Sequence, residues 1–169
     1  MSIKLLDLTK NDSEDIYNLI QNINYNENGF NNEAHKLNYL QFKEWLIKQN
    51  DIANGKNIPE NYVRQWIFWL YVDGVPIGIG KLREKLTEKS RKIGGNIVYA
   101  ISKKYRGKGY GTILFKLLLE KSKELGIKEI LSTVKIDNYS SIKIQEKCGG
   151  VLINKNEKLC YFKFETHKE

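Results

Sequence analysis

An α/β domain, with helices packed on a mixed β-sheet, is the fold class this sequence predicts. Three observations carry that expectation. Segments with strand-like and helix-like apolar spacing alternate along the chain. Trp66–Val72 and Val75–Leu82, both dense in strand-favouring residues, flank Asp73-Gly74, a strong hairpin turn signal. A glycine-rich stretch at 106–111 joins a strand-like segment to a helix-like one. The 169 residues, 41% of them hydrophobic, suit one domain spanning 1–169 with its own core.

The elements follow in order. Ser2–Leu8 reads as a first strand, and Asp12 or Ser13 caps a helix through Ile16, Leu19 and Ile20. Asn22–Asn38 is asparagine-rich and contains Gly29, so it reads as a loop or a broken helix. Tyr39–Asn50 is helical again, with Phe42, Trp45 and Leu46 on one face. Gly55–Glu60 is a turn, and the hairpin comes next. Arg83–Gly95 is polar and lysine-rich, a loop with a short helical turn. Asn96–Ile101 is a strand. Thr112–Leu125 has the spacing of a helix through Leu114, Leu117 and Leu118, with Gly126 to stop it. A strand inside Ile127–Val134, a helix Asn138–Lys147 closed by Gly149-Gly150, and strands Val151–Ile153 and Leu159–Phe164 complete the chain.

Composition removes several function classes. The net charge of +8 fits either a basic face for an anionic partner or lysine spread over a solvated surface. The lysines run along the whole chain without a polybasic block, which favours the second reading. No recognition-helix pattern or base-stacking motif accompanies the charge, so no nucleic-acid partner is expected. Cys148 and Cys160 form no CxxC pair, and His35 and His167 lie far apart, so no metal site is expected. Met1–Lys10 lacks the apolar core of a signal peptide, and the longest apolar stretch, Trp66–Val72, is too short to span a bilayer. No membrane partner is expected, and the cytoplasm is the expected location.

The chemistry concentrates at the glycine-rich turn. A helix N-terminus offers unpaired N–H groups and partial positive charge. Gly107, Gly109 and Gly111 carry no Cβ, so a phosphate can approach the backbone. Arg106 and Lys108 add charge, and Thr112 adds a hydroxyl. A phosphate or pyrophosphate ligand is implied. The P-loop pattern is missing, and the glycines give GxGxG where the dinucleotide fingerprint needs GxGxxG near the chain start.

Two motifs in sequence order sharpen this reading. Arg106, Gly109 and Gly111 fit a pattern of Arg or Gln, two residues, Gly, one residue, Gly or Ala. Downstream, Asn138, Ser141 and Glu146-Lys147-Cys148-Gly149 follow a second pattern. With both, the chain from about Ile67 to Phe164 resembles the GNAT superfamily of N-acetyltransferases. The resemblance implies a three-layer αβα fold, acyl-CoA N-acyltransferase-like, with a central mixed, partly splayed β-sheet. It implies acetyl-CoA as co-substrate and an amine acceptor on a small molecule or peptide. The cofactor core would span 96–150, with the pyrophosphate on Arg106, Gly107, Lys108, Gly109, Tyr110, Gly111 and Thr112. The pantetheine arm would lie between splayed parallel strands Asn96–Ile101 and Ile130–Val134, along Tyr99, Ala100 and Ile101. Asn138 matches a cofactor-contacting position, and a homodimer is common in the superfamily.

Two positions depart from the pattern. The frequent tyrosine acid of the superfamily is Gln145 here, which cannot donate a proton as an acid does. Tyr139, six residues earlier, is the substitute, and Tyr99 is a candidate positioning residue. The carboxylate often found before the loop is Asn96, and Gly150 stands where a phenylalanine is usual. Proton removal from the amine then falls to water, and catalysis to orientation and backbone donors. A non-catalytic acyl-CoA-binding module is the alternative these departures favour. A phosphate-ligand domain without acyl chemistry is another.

Other residues carry plainer readings. Trp66, Phe68 and Trp69 could flank an acceptor pocket but read first as core. Tyr25, Phe30 and Tyr39 lie where the superfamily closes over its acceptor, and Glu27, Glu33 and Glu44 could make an acidic pocket there. His35 reads as a loop residue and Cys148 as packing. Arg83, Lys85, Lys89, Arg91 and Lys92 read as a solvated loop, with reach to the 3′-phosphate of coenzyme A as the alternative.

Overall fold

The computed structural model describes residues 1–167, two short of the expected domain 1–169. Its elements are β1 (Ile3–Asp7), α1 (Glu14–Gln21), β2 (Asn26–Glu27), β3 (Phe30–Asn31), α2 (Tyr39–Ala53), β4 (Gln65–Val72), β5 (Val75–Arg83) and α3 (Glu88–Lys92). Then come β6 (Ile97–Ile101), a 3-10 turn (Lys103–Tyr105), α4 (Tyr110–Glu124), β7 (Glu129–Lys135), α5 (Tyr139–Lys147), β8 (Val151–Lys155) and β9 (Leu159–Glu165).

The strands form a four-stranded sheet, β1-β4-β5-β6, and a three-stranded sheet, β7-β9-β8. Every ladder in both is antiparallel. The parallel pair expected of a mixed sheet is not laddered. Instead Gly95, just before β6, bridges to Ser132 of β7, and the two strands separate beyond it. This splaying is where the sequence reading placed it.

Helices cover both faces, giving the three layers. On one side Ile16, Leu19 and Ile20 of α1 and Phe42, Trp45 and Leu46 of α2 pack on Ile67, Trp69 and Ile79. On the other, Leu114, Phe115 and Leu118 of α4 pack on Phe68, Leu70 and Leu82 and continue onto Ile130, Phe162 and Phe164 of the second sheet. The alternation of β4 supplies both cores, because successive side chains leave opposite faces. A Cβ at Gly80 would stand 2.7 Å from the Leu118 methyls, so this glycine lets α4 lie close on the sheet. The expected core reading of Phe68 and Trp69 holds, with Trp69 Nε1 donating to Asp12 at 2.7 Å.

Asn22–Asn38 is neither plain loop nor helix. Asn28 and Gly29 both have positive φ, 51° and 83°, and turn a small hairpin between β2 and β3. Buried Asn32 anchors it, its Nδ2 donating to the carbonyls of Ile20 and Ile23 at 2.9 and 2.7 Å. Beneath it, Lys81 of β5 donates to the Asn31 carbonyl at 3.1 Å and lies 5.0 Å from the Phe30 ring centroid. Burial pushes the Lys81 ammonium down to about 8, with Glu33 opposing and Arg83 adding to the fall.

Candidate active-site cleft

Beyond the Gly95 bridge, the edges of β6 and β7 open into a cleft of about 460 Å³. Its closed end is built by backbone. The Asn96 N–H donates to the Leu131 carbonyl at 2.7 Å, and the Leu131 N–H donates to Asn96 Oδ1 at 2.9 Å. Asn96 Nδ2 donates to the Arg83 carbonyl at 3.1 Å. Asn96 is therefore a pin between the two sheets and does not line the cleft. A Cβ at Gly95 would overlap the Leu131 carbonyl, so only glycine fits there. Gly94-Gly95 is a signal the sequence reading passed over.

The glycine-rich turn forms one wall. Gly109 starts α4 in a left-handed conformation, φ 83°, and no side chain caps the helix. The N–H groups of its first turn lack intrahelical partners, an arrangement that suits an anion. A Cβ on Gly107 or Gly109 would meet nothing within 4 Å. These two glycines supply positive φ. Gly111 does something different, since its Cβ would stand 2.9 Å from Ile144, where α4 closes on α5. Tyr110 and Thr112 line the cleft, as do Ala100 and Ile101 of β6. Lys108 is exposed, does not line it, and lies 5.8 Å from the Tyr105 ring centroid.

Arg106 lines the cleft and also makes a tie that the sequence did not predict. Its Nη1 donates to Glu27 at 2.5 Å and its Nε to the Ile101 carbonyl at 2.9 Å. The guanidinium holds the Glu27 carboxyl below its ordinary value, and the carboxylate raises Arg106 in return. Arg106 thus ties the β2–β3 hairpin to the glycine-rich turn. Of Glu27, Glu33 and Glu44, Glu27 alone lines the cleft, and it is already paired. Phe30 lines the cleft as well, whereas Tyr25 and Tyr39 are exposed elsewhere. Positive charge beside the cleft comes from Lys147 of the second motif and from Lys135 and Lys143, for which the sequence carries no motif. Arg83, Lys85, Lys89, Arg91 and Lys92 do not line it.

The far wall belongs to α5. Asn138 caps the helix, its Oδ1 accepting from the Ser141 N–H at 3.2 Å, and lines the cleft. Ser141 Oγ lies 2.9 Å from the Tyr99 hydroxyl, and Tyr99 rests edge-on against Phe115. Burial pushes the Tyr99 phenol up to about 12, so it stays protonated at neutral pH. Tyr139 stands away from the cleft. It is 71% exposed and outside the cleft, because two helical residues point about 200° apart and Ser141 takes the inward direction. Gln145, one turn beyond Ser141, is buried in the wall. The absent phenylalanine at 150 is explained by β9, since a Cβ on Gly150 would stand 2.6 Å from the Phe164 ring already there. Cys148 lies outside the cleft, its thiol pushed up by burial, which suits packing and not nucleophilic attack. Among the described residues no cluster of metal-ligating side chains occurs, and no helix is long and apolar enough to cross a membrane.

A family profile described as "Acetyltransferase (GNAT) domain" matches residues 3–151. No curated protein sequence matches the chain. Among solved structures, the N-acetyltransferase PseH of Campylobacter jejuni, in complex with acetyl coenzyme A, aligns with TM-score 0.64 at 14% identity, covering 97% of this chain and 99% of that one. The putative acetyltransferase yncA of Salmonella typhimurium, with its cofactor acetyl-CoA, aligns with TM-score 0.65 at 10% identity, covering 100% and 96%. A spermidine N-acetyltransferase SpeG chimera from Vibrio cholerae and hSSAT gives TM-score 0.66 at 17% identity, covering 98% and 96%. At these identities the likeness is one of fold.

Proposed function

Because the chain belongs to the GNAT acetyltransferase family, we propose that it transfers the acetyl group of acetyl-CoA to a primary amine of a small molecule or peptide. One observation carries this reading. An uncapped helix start with positive-φ glycines opens onto a cleft between two unpaired strand edges. The N–H groups of the first turn of α4 suit the pyrophosphate. The open edges of β6 and β7 suit the amides of the pantetheine arm, as a sheet edge suits an added strand. PseH and yncA, with acetyl-CoA bound, support the choice of co-substrate. The spermidine acetyltransferase supports an amine acceptor.

The chemistry is direct transfer. The neutral amine attacks the thioester carbonyl, the C–S bond of the tetrahedral intermediate breaks, and the electron pair leaves on sulfur. The amine proton goes to water, since Glu27 is held by Arg106 and Asn96 by the sheet seam. Backbone N–H groups of β6 stabilise the oxyanion. Tyr99, still protonated, offers its hydroxyl as a neutral donor positioned by Ser141. Calorimetric titration with acetyl-CoA, followed by a thiol-release assay across an amine panel, tests the proposal. Failure of folded protein to bind acetyl-CoA refutes it.

A second reading is a non-catalytic acyl-CoA-binding module. It is favoured by Gln145 in place of an acid and by Tyr139 lying outside the cleft. Tight acetyl-CoA binding with no thiol release on any amine selects it.

A further inference from the structure

Gln145 is 1% exposed, and its Oε1 has no hydrogen-bond partner. A buried amide oxygen without a partner is costly, because it has given up water and gained nothing. Among the described residues only two other buried side-chain atoms share this state, on His35 and Trp45, and neither residue lines the cleft. Gln145 does line it, together with Ser141 one turn earlier and Tyr99 across from that serine. The torsion that turns a glutamine amide is broad and roughly two-fold, so a half-turn exchanges which end of it faces the cleft.

We propose that Gln145 is a binding residue for the pantetheine arm, its Oε1 accepting a pantetheine amide N–H. This rests on the acetyl-CoA reading above. The chemistry of the arm fits the vacancy. The orphan is an acceptor, and the arm carries amide N–H donors of the same kind that strands offer. A primary amide also returns an N–H to the neighbouring carbonyl, so one side chain can fix the arm in direction as well as place. Gln145 adds no proton to the reaction. It holds the thioester end while the thiolate leaves unprotonated, which a thiol of ordinary acidity tolerates.

The orphaned oxygen gives the proposal an opposed pair of signs. Gln145→Met keeps the length of the side chain and removes the unpaired polar group. The ligand-free variant should melt at a higher temperature than wild type, yet bind acetyl-CoA about three- to tenfold more weakly, the range expected for one hydrogen bond. Adenosine 3′,5′-bisphosphate, which lacks the arm, should bind both proteins equally. Gln145→Leu repeats the comparison with different packing should the first variant fold poorly. Unchanged acetyl-CoA affinity overturns the proposal, as does equal weakening of the adenosine bisphosphate. A lower melting temperature in both variants overturns it too, by making Gln145 a structural residue. If wild type binds the adenosine bisphosphate but not acetyl-CoA, the acyl-CoA reading itself falls.

Discussion

Replacing Lys81 by methionine should stabilise the protein at neutral pH and remove a specific pH dependence. The Lys81 ammonium is pushed from 10.5 to about 8 by burial beneath the β2–β3 hairpin. A gap of about 2.5 pH units corresponds to about 3 kcal/mol of destabilisation by the buried charge. Below pH 8 folded and unfolded chains are both protonated here, and the full cost applies. As pH rises from 8 toward 10.5, the folded state releases its proton first and stability rises. About 2 kcal/mol should be recovered by pH 9.5. Methionine removes the charge but forfeits the bond to the Asn31 carbonyl, at about 1 kcal/mol. The variant should then be about 2 kcal/mol more stable at pH 7, with the advantage nearly gone at pH 9.5. Urea denaturation of both proteins at several pH values measures this, and groups common to both cancel in the difference. A pH-independent difference, or a less stable variant at pH 7, would refute the buried-charge reasoning.

Gly109→Val places a β-branched residue at φ 83°, which costs at least about 1–2 kcal/mol of stability and distorts the start of α4. Calorimetry should find acetyl-CoA affinity down more than tenfold, and unchanged binding would remove the phosphate cradle from this turn. Tyr99→Phe keeps the ring on Phe115 and loses the hydroxyl on Ser141. A fall in kcat of about tenfold, with KM for acetyl-CoA nearly constant, is expected of a neutral hydrogen bond in the transition state, whereas unchanged kcat denies Tyr99 that role. Gly95→Ala drives a methyl into the Leu131 carbonyl. A drop in melting temperature with weakened acetyl-CoA binding is expected, and a wild-type melting curve would show that the seam tolerates the group.

Local signals carried the reading where chemistry and neighbours were close in sequence. Asp73-Gly74 announces its hairpin, and both residues take the positive φ that such a turn needs, 48° and 79°. Asn28-Gly29 bears the same signature without announcing a hairpin, because its strands are two residues long and show no alternating apolar pattern. The glycine-rich turn reads from sequence as a phosphate cradle, yet the division of labour within it has no local signal. Arg106 finds Glu27 across 79 residues, and nothing local foretells that partner. Asn96 reads from sequence as a catalytic position lacking its carboxylate, whereas its amide holds Leu131, 35 residues on. Tyr139 has the chemistry of an acid but points away from the cleft, a direction that the spacing to Ser141 encodes. The splayed strand pair is implied by the resemblance, and no ladder joins the two strands, only one bridge just before β6.

The seam at Gly95 and Asn96 also acts as a fulcrum. From Asn96 to the far end of β6 is five residues, about 16 Å of strand. A tilt of about 5° at the fulcrum displaces Ile101 by roughly 1.4 Å over that length. Errors of about 1 Å between reacting groups can cost a hundredfold in rate. Substitutions near Arg83, Asn96 or Leu131 therefore have leverage over turnover although none of them lines the cleft. Their effect should grow with distance from the fulcrum, being greatest where Ile101 meets the glycine-rich turn.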